Sequence, residues 1–245
     1  MTIDGVNYTV PLALVDFLPV ILSTVGCFLL ALLAGRHVPV TRKYALAGAV
    51  LVGLGGLCKS VWKLLVAGFQ TDLTWLDGLL FPLLGLGFSL LAWSVLSYRK
   101  DRPALAWPFI AFVVICFGSA LFARSLAPLL GLTALMSLAV STYALLTGVR
   151  RLDWLAAGLF AIQILGTLAL VPLASPSHPQ TTMLQWTEES INTLAQLCFV
   201  LGALRLASWH GRVSREGANF RGAEPIESTI ALESPSTSPP NQRSQ

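Results

Sequence analysis

Charge is what these 245 residues have least of: Asp, Glu, Lys and Arg make up 11%, against 55% hydrophobic residues and a mean hydropathy of +0.71. A soluble domain of this length could not bury such an excess in one core, so the composition points to a polytopic membrane protein. Histidine is scarce too. His37, His178 and His210 all fall in loops or at a segment boundary, which argues against haem held by paired histidines, intramembrane zinc hydrolysis and His-based proton relays. There is no Gly-rich phosphate loop, no GxSxG nucleophile elbow and no Asp-rich diphosphate site. An enzyme working through charged residues alone is the catalytic option left, and the residue set leans against it. No cofactor or metal is expected. The four cysteines, Cys27, Cys58, Cys116 and Cys198, lie on four different apolar segments without a CxxC or a nearby His, as buried thiols acting as small apolar residues do. Met1 to Thr9 lacks the basic stretch that opens a cleavable signal peptide, so the first apolar segment is expected to stay in the mature chain.

What is present is a series of runs of about 20 apolar residues, the length that crosses a bilayer. Seven are expected, giving an all-α bundle over residues 10–206: Val10 to Leu33, Tyr44 to Phe69, Thr74 to Ser97, Pro103 to Phe122, Leu126 to Val149, Asp153 to Ala174, and Trp186 to Leu206. In the seventh only Leu194 to Leu204 is strongly apolar, so a crossing there has to borrow the polar turns before it. Basic residues gather in alternate loops: Arg36, Arg42 and Lys43, then Arg99, Lys100 and Arg102, then Arg150 and Arg151, then Arg205, Arg212 and Arg215. The intervening loops hold Arg124 alone. The positive-inside rule then puts a short N-terminus, residues 1–9, outside and residues 207–245 in the cytoplasm. Short loops between Ala- and Leu-rich segments suggest a bacterial inner membrane. The same clustering explains the net charge of +4 without nucleic acid. Trp75 and Trp186 at outer ends, and Trp107, Trp154 and Trp209 at inner ends, fit an aromatic belt, whereas Trp62 lies deeper and reads as packing.

After Leu206, Trp209 to Glu216 reads as a short basic extension along the interface, and Gly217 to Gln245 is too rich in Ser, Pro, Glu and Gln to build a core. Ser234-Pro235 and Ser238-Pro239 read as part of a solvated tail. Asn7-Tyr8-Thr9 matches the glycosylation pattern, but so close to the membrane that it is discounted. Seven crossings is also the count of retinal proteins, G-protein-coupled receptors and small sugar transporters. The seventh segment, however, has no internal Lys for a Schiff base, no acidic-Arg-Tyr triplet ends the third, and the single Pro-Gln pair, Pro179-Gln180, lies in a loop.

Against this background a few polar residues are out of place. Lys59 interrupts the run from Tyr44 to Phe69, about 4 Å outside the midplane if the segment is centred and rises 1.5 Å per residue. An ionisable group there needs a partner, water or a ligand. Lys63 falls about 10 Å out, where its stem could snorkel to the headgroups. Both share a helix face with Gly48 and Gly55 by their i, i+4, i+7 spacing, a face expected to point into the bundle. On the seventh segment Gln185, Glu189, Asn192 and Gln196 recur at helical spacing, with Glu188 and Thr193 beside them. Asp16 comes out at about 8 Å and Glu189 at about 10 Å. Asp16, Lys59, Lys63 and Glu189 are therefore expected to form a charge cluster in the outer half, deepened by Asn192 and Gln196. Asp77 reads as part of a capping box, Thr74-Trp75-Leu76-Asp77, and Pro82 as a kink. Gln163, Thr167 and Ser119 are expected to face the interior.

Ammonium groups in a low-dielectric cleft attract carboxylate or phosphate, and amides orient it. The expectation is an outward-facing pocket for a small anionic ligand, in a carrier or binding protein. The alternatives are a sensory receptor whose inner loops and tail engage a cytoplasmic protein, and a structural or assembly subunit whose charges only fix helix register.

Overall fold

The computed structural model describes residues 10–170 and 183–208 with their side chains, and residues 2–3, 6–7, 171–173, 182 and 209–221 by their backbone. Asn7-Tyr8-Thr9 as a unit, His178, the Pro179-Gln180 pair and both Ser-Pro pairs lie outside the described residues. Apart from a two-residue antiparallel pairing of Thr2–Ile3 with Val6–Asn7, the described chain is helical. The elements are α1 (Val10–Val15), α2 (Phe17–His37), a 3-10 turn (Pro39–Thr41), α3 (Arg42–Phe69), α4 (Thr74–Gly78), α5 (Leu80–Arg99), α6 (Trp107–Ala123), α7 (Ala127–Arg150), α8 (Trp154–Leu173) and α9 (Thr182–Arg221). By its contacts the chain divides after Ser208, and the helices up to that residue form one compact body.

Five stretches are long and apolar enough to cross a membrane: Val10–His37, Pro39–Phe69, Thr74–Arg99, Ala127–Arg150 and Met183–Ser208. Two further apolar helices, Trp107–Ala123 and Trp154–Leu170, are shorter. Large apolar side chains face outward along these helices, among them Ile21, Ile110, Leu165 and Leu121, with Phe122 95% exposed. A water-soluble surface does not carry apolar patches on that scale.

Six helices close on one another in the order α2, α3, α5, α7, α8, α9, and α6 packs on α5 and α7. The sequence permits this closeness by placing small residues at the crossings. A Cβ on Gly48 would lie 2.7 Å from the Gly87 carbonyl oxygen of α5, and one on Gly87 2.8 Å from that of Gly48. Gly26 of α2 receives the ring of Phe199 from α9, Gly202 of α9 receives Phe160 from α8, and Gly166 of α8 faces Ala195. The main core joins Cys27, Leu30, Ala49, Leu91, Val140, Phe160 and Phe199. It lies towards the end where Arg36, Arg42, Arg99, Arg150 and Arg205 gather, called the basic end below.

Two of the long apolar stretches depart from regular helix at a single residue, Asp16 between α1 and α2 and Leu79 between α4 and α5, each with helical dihedrals and each three residues before a proline, Pro19 and Pro82. Proline donates no hydrogen bond to the carbonyl four residues back and its ring crowds that carbonyl, so a local irregularity just upstream is its expected effect. The capping box at Thr74 does not form. α4 begins at Thr74 itself, with Leu73 in the capping position and no side-chain cap, because a cap residue must stand outside the helix it caps. Ser119 is another correction: it is exposed on α6, since α6 turns its other side to α5 and α7.

Candidate functional site

The site is built from two separate faces of α3. On one, Gly53, Gly56 and Ser60 meet Thr24, Val20 and Asp16 of the α1–α2 stretch, the two partners running antiparallel in steps of three or four residues. Without side chains, Gly53 and Gly56 admit α2 closely enough for the Ser60 hydroxyl to reach Asp16. It lies 3.1 Å from Asp16 Oδ2 and 3.3 Å from the Asp16 carbonyl oxygen. Lys63 continues this face. Its Nζ donates to Asp16 Oδ1 at 2.8 Å and to Glu189 Oε1 at 3.0 Å. The three side chains are 12%, 9% and 12% exposed, so the pairs are little screened and tie α2, α3 and α9 together.

The other face carries Gly48, Val52 and Gly55 against α5 and leads on to Lys59. Lys59 lines a cleft of about 240 Å³ with Asp16, Pro19, Val20 and Ser23 from the α1–α2 stretch, Gly56 and Ser60 from its own helix, Leu80, Leu84 and Phe88 from α5, and Glu189, Asn192 and Gln196 from α9. It lies within electrostatic reach of Asp16, Asp77, Glu189 and Lys63, but enters none of the ion pairs among the described residues. Among the described residues Lys59 is the one basic side chain on the cleft wall. Lys63 is taken up by its two carboxylates.

All six residues singled out from the sequence thus lie in one region: Asp16, Lys59, Glu189, Asn192 and Gln196 on the cleft and Lys63 behind two of them. The division of labour differs from the sequence expectation. Lys63, whose stem was long enough to snorkel, is the paired cation, and Lys59, for which an internal partner was sought, enters no ion pair with a carboxylate among the described residues. The physical reason is that Lys59 and Lys63, four residues apart, are about 40° apart around a helix of 3.6 residues per turn. That offset turns one towards α2 and α9 and the other towards α5. Ser60 was missed by sequence reading. A second small-residue stripe, Gly53, Gly56 and Ser60, running alongside Gly48 and Gly55, was the signal available for it.

Several polar side-chain atoms of the described residues are buried without a hydrogen-bond partner, Glu189 Oε2 at the cluster itself, Glu188 Oε1, Gln185 Oε1 and Thr193 Oγ1 elsewhere on α9, and Gln163 Oε1 on α8. Gln163 is buried as expected, and its amide donates to Thr167 Oγ1 at 3.0 Å. Of these, Glu189 Oε2 belongs to a residue of the cleft wall, where water or a polar ligand can satisfy it. Trp62 is a packing residue with a local role, its indole donating to Asp72 Oδ1 at 2.9 Å. Asp153, also unremarked in the sequence, caps α8 through the Ala156 amide and accepts from Arg205 of α9 at 3.1 Å.

No protein-family model, curated protein or solved structure matches the chain.

Proposed function

We propose that the chain is a seven-crossing integral membrane protein of a bacterial inner membrane, N-terminus outside, whose cleft binds and carries a small anion. α6, at 17 residues, and the 17-residue apolar part of α8 would each rise about 25 Å, near the lower limit for a crossing. Arg36, Arg99, Arg150 and Arg205 at the same end of the bundle support a cytoplasmic basic end. Trp107 and Trp154, both exposed at that end, suit an interfacial position.

The observation that carries the functional reading is the contrast between the two lysines. Lys63 pairs with both carboxylates of the cleft wall, Asp16 and Glu189, while Lys59, on the same wall, enters no ion pair among the described residues. In this reading Lys59 takes the charge of a carboxylate or phosphate group, and Asn192 and Gln196 fix its orientation by directional hydrogen bonds.

A structural role is the second reading, favoured by the Asp16–Lys63–Glu189 bridge, which by itself fixes the register of three helices. The test is uptake of radiolabelled phosphate, acetate and succinate into vesicles containing the purified protein, wild type and Lys59→Gln. Saturable uptake of one anion, lost in Lys59→Gln while the variant stays folded, is expected. No uptake and no anion-dependent thermal stabilisation would overturn the reading in favour of the structural one. Stabilisation without uptake would leave a binding or receptor role, with the tail and basic loops as the surface for a cytoplasmic partner.

A further inference from the structure

A second cavity lies away from the charge cluster, between α3, α5 and α6. It measures about 540 Å³ and its wall is nearly all apolar, with Tyr44 and Leu51 from α3, Leu86 and Trp93 from α5, and Phe109 and Val113 from α6. α6 packs on α5 and α7, so the groove beside α3 stays open to the surroundings, and its rim residues Val40, Ile110 and Val114 are each more than 60% exposed. Tyr44 and Trp93 stand edge to face at its basic end, ring centres 5.6 Å apart. The Trp93 indole is already committed to the Ala104 carbonyl at 2.8 Å, which fixes the ring as part of the wall.

At that end the groove runs into a shallower depression lined by Pro39, Val40, Arg42, Lys43 and Tyr44. Val40 and Tyr44 belong to both. Arg42 and Lys43 are exposed and enter no ion pair among the described residues. The stem of Arg42 rests against Gly35, and the Lys43 ammonium lies 5.0 Å from the Tyr44 ring centre. From Tyr44 to Leu51, or from Trp93 to Leu86, the wall rises about 10 Å along the helix axis. That is most of the depth of one leaflet, about half of a 30 Å hydrocarbon layer.

We propose that this groove is a binding site for an anionic phospholipid of the leaflet at the basic end. One acyl chain lies between α3 and α6 against Trp93 and Val113, and the phosphate meets Arg42 and Lys43. Two features favour this occupant over a protein helix or a soluble anion. The groove is open along the face that lipid would cover, and its two unpaired cations stand at the mouth, where a headgroup sits, with apolar side chains beyond them. The volume falls within the range of small-molecule sites, about 300–1,000 Å³, which suits a chain rather than a second helix. The inference is independent of the anion cleft, which lies on the opposite side of α5's contact with α3.

The experiment titrates the detergent-solubilised full chain with phosphatidylglycerol and, separately, phosphatidylcholine, both brominated in mid-chain, and reads tryptophan fluorescence in wild type and Trp93→Phe. Bromine quenches only indoles in contact with the chain, so the difference between the two proteins reports the groove. The expected result is a Trp93-dependent quench that half-saturates at about tenfold lower phosphatidylglycerol than phosphatidylcholine, the preference two basic residues give near an anionic headgroup. In Arg42→Gln/Lys43→Gln the quench remains and the preference falls to about one. Lys43→Gln alone, expected to show an intermediate preference, serves if the double variant does not fold. Absence of a Trp93-dependent quench, or equal half-saturation by the two lipids in wild type, overturns the proposal. Relief of the phosphatidylglycerol preference by millimolar inorganic phosphate, with the chain still bound, would assign the basic pair to a soluble anion and overturn the headgroup assignment.

Discussion

The two halves of the bundle are held together by different means. Towards the basic end the helices meet through small residues and rings: Gly48 on Gly87, Phe199 on Gly26, Phe160 on Gly202. The hydroxyls there are spent locally, Ser94 and Ser97 each donating to a carbonyl four residues back at 2.8 Å. Towards the other end the Gly53–Gly56–Ser60 stripe leads into Asp16, Lys63 and Glu189, two helices are locally irregular before prolines, and buried polar atoms lack partners. Dispersion and close packing hold an apolar interface without directional demand. The polar half depends on a few charged contacts and leaves room beside them. In the proposed reading the polar half admits the ligand and the apolar half holds the frame around it.

The comparison can be broken first at Lys63. Lys63→Met leaves Asp16 and Glu189 facing each other without their cation, and a loss of about 3–5 kcal/mol is expected, the scale for removing one partner of a buried pair. Unfolding in mixed micelles measures it. A triple variant that also carries Asp16→Asn and Glu189→Gln is expected to recover most of the loss, and a triple variant no more stable than Lys63→Met would show that the triad is not what joins α2, α3 and α9. In the apolar half the counterpart is Gly48→Ala. The added methyl meets the Gly87 carbonyl with no flexible side chain to yield, so about 1–3 kcal/mol is expected by the same measurement.

These two sites also separate what could be read in the sequence from what could not. The apolar runs, the basic loops and the polar stripe of α9 are periodic or compositional, and they led to a helical membrane bundle with a polar region containing Asp16, Lys59, Lys63, Glu189, Asn192 and Gln196. Which lysine pairs with which carboxylate depends on the rotation of α3 against α2 and α5, a tertiary quantity. Glycines on two adjacent faces of α3 set that rotation, and one face was read where two exist. The failed capping box at Thr74 has the same character, since a four-residue pattern does not say where the first turn starts when a proline eight residues later also shapes the segment. The Asp153–Arg205 bridge joins residues 52 apart in sequence, at positions where a basic loop residue already had a topological explanation.

A smaller effect is expected at that bridge. Arg205 is 43% exposed at its side chain, so Arg205→Gln should cost no more than about 1 kcal/mol. Asp153→Ala also removes the cap on the Ala156 amide, and about 1–2 kcal/mol is expected. If Arg205→Gln proved as damaging as Lys63→Met, the contrast between a charged half and an apolar half would fail. The smallest change in stability is expected at Lys59. With no ion pair to lose, Lys59→Gln should be about as stable as wild type in the absence of ligand, because the neutral amide is spared the desolvation cost of the ammonium while giving up its longer-range attraction to Asp16 and Glu189.

That expectation leads to the most direct test of the central claim, that Lys59 is the cleft's available cation. Thermal unfolding of the purified full chain is measured in detergent with and without inorganic phosphate, acetate and succinate, for wild type and Lys59→Gln. The account predicts matching midpoints without added anion, a rise with at least one anion in wild type, and no rise in Lys59→Gln. A wild type indifferent to every anion, together with a Lys59→Gln midpoint well below it, would contradict the account and make Lys59 one more strut of the bundle.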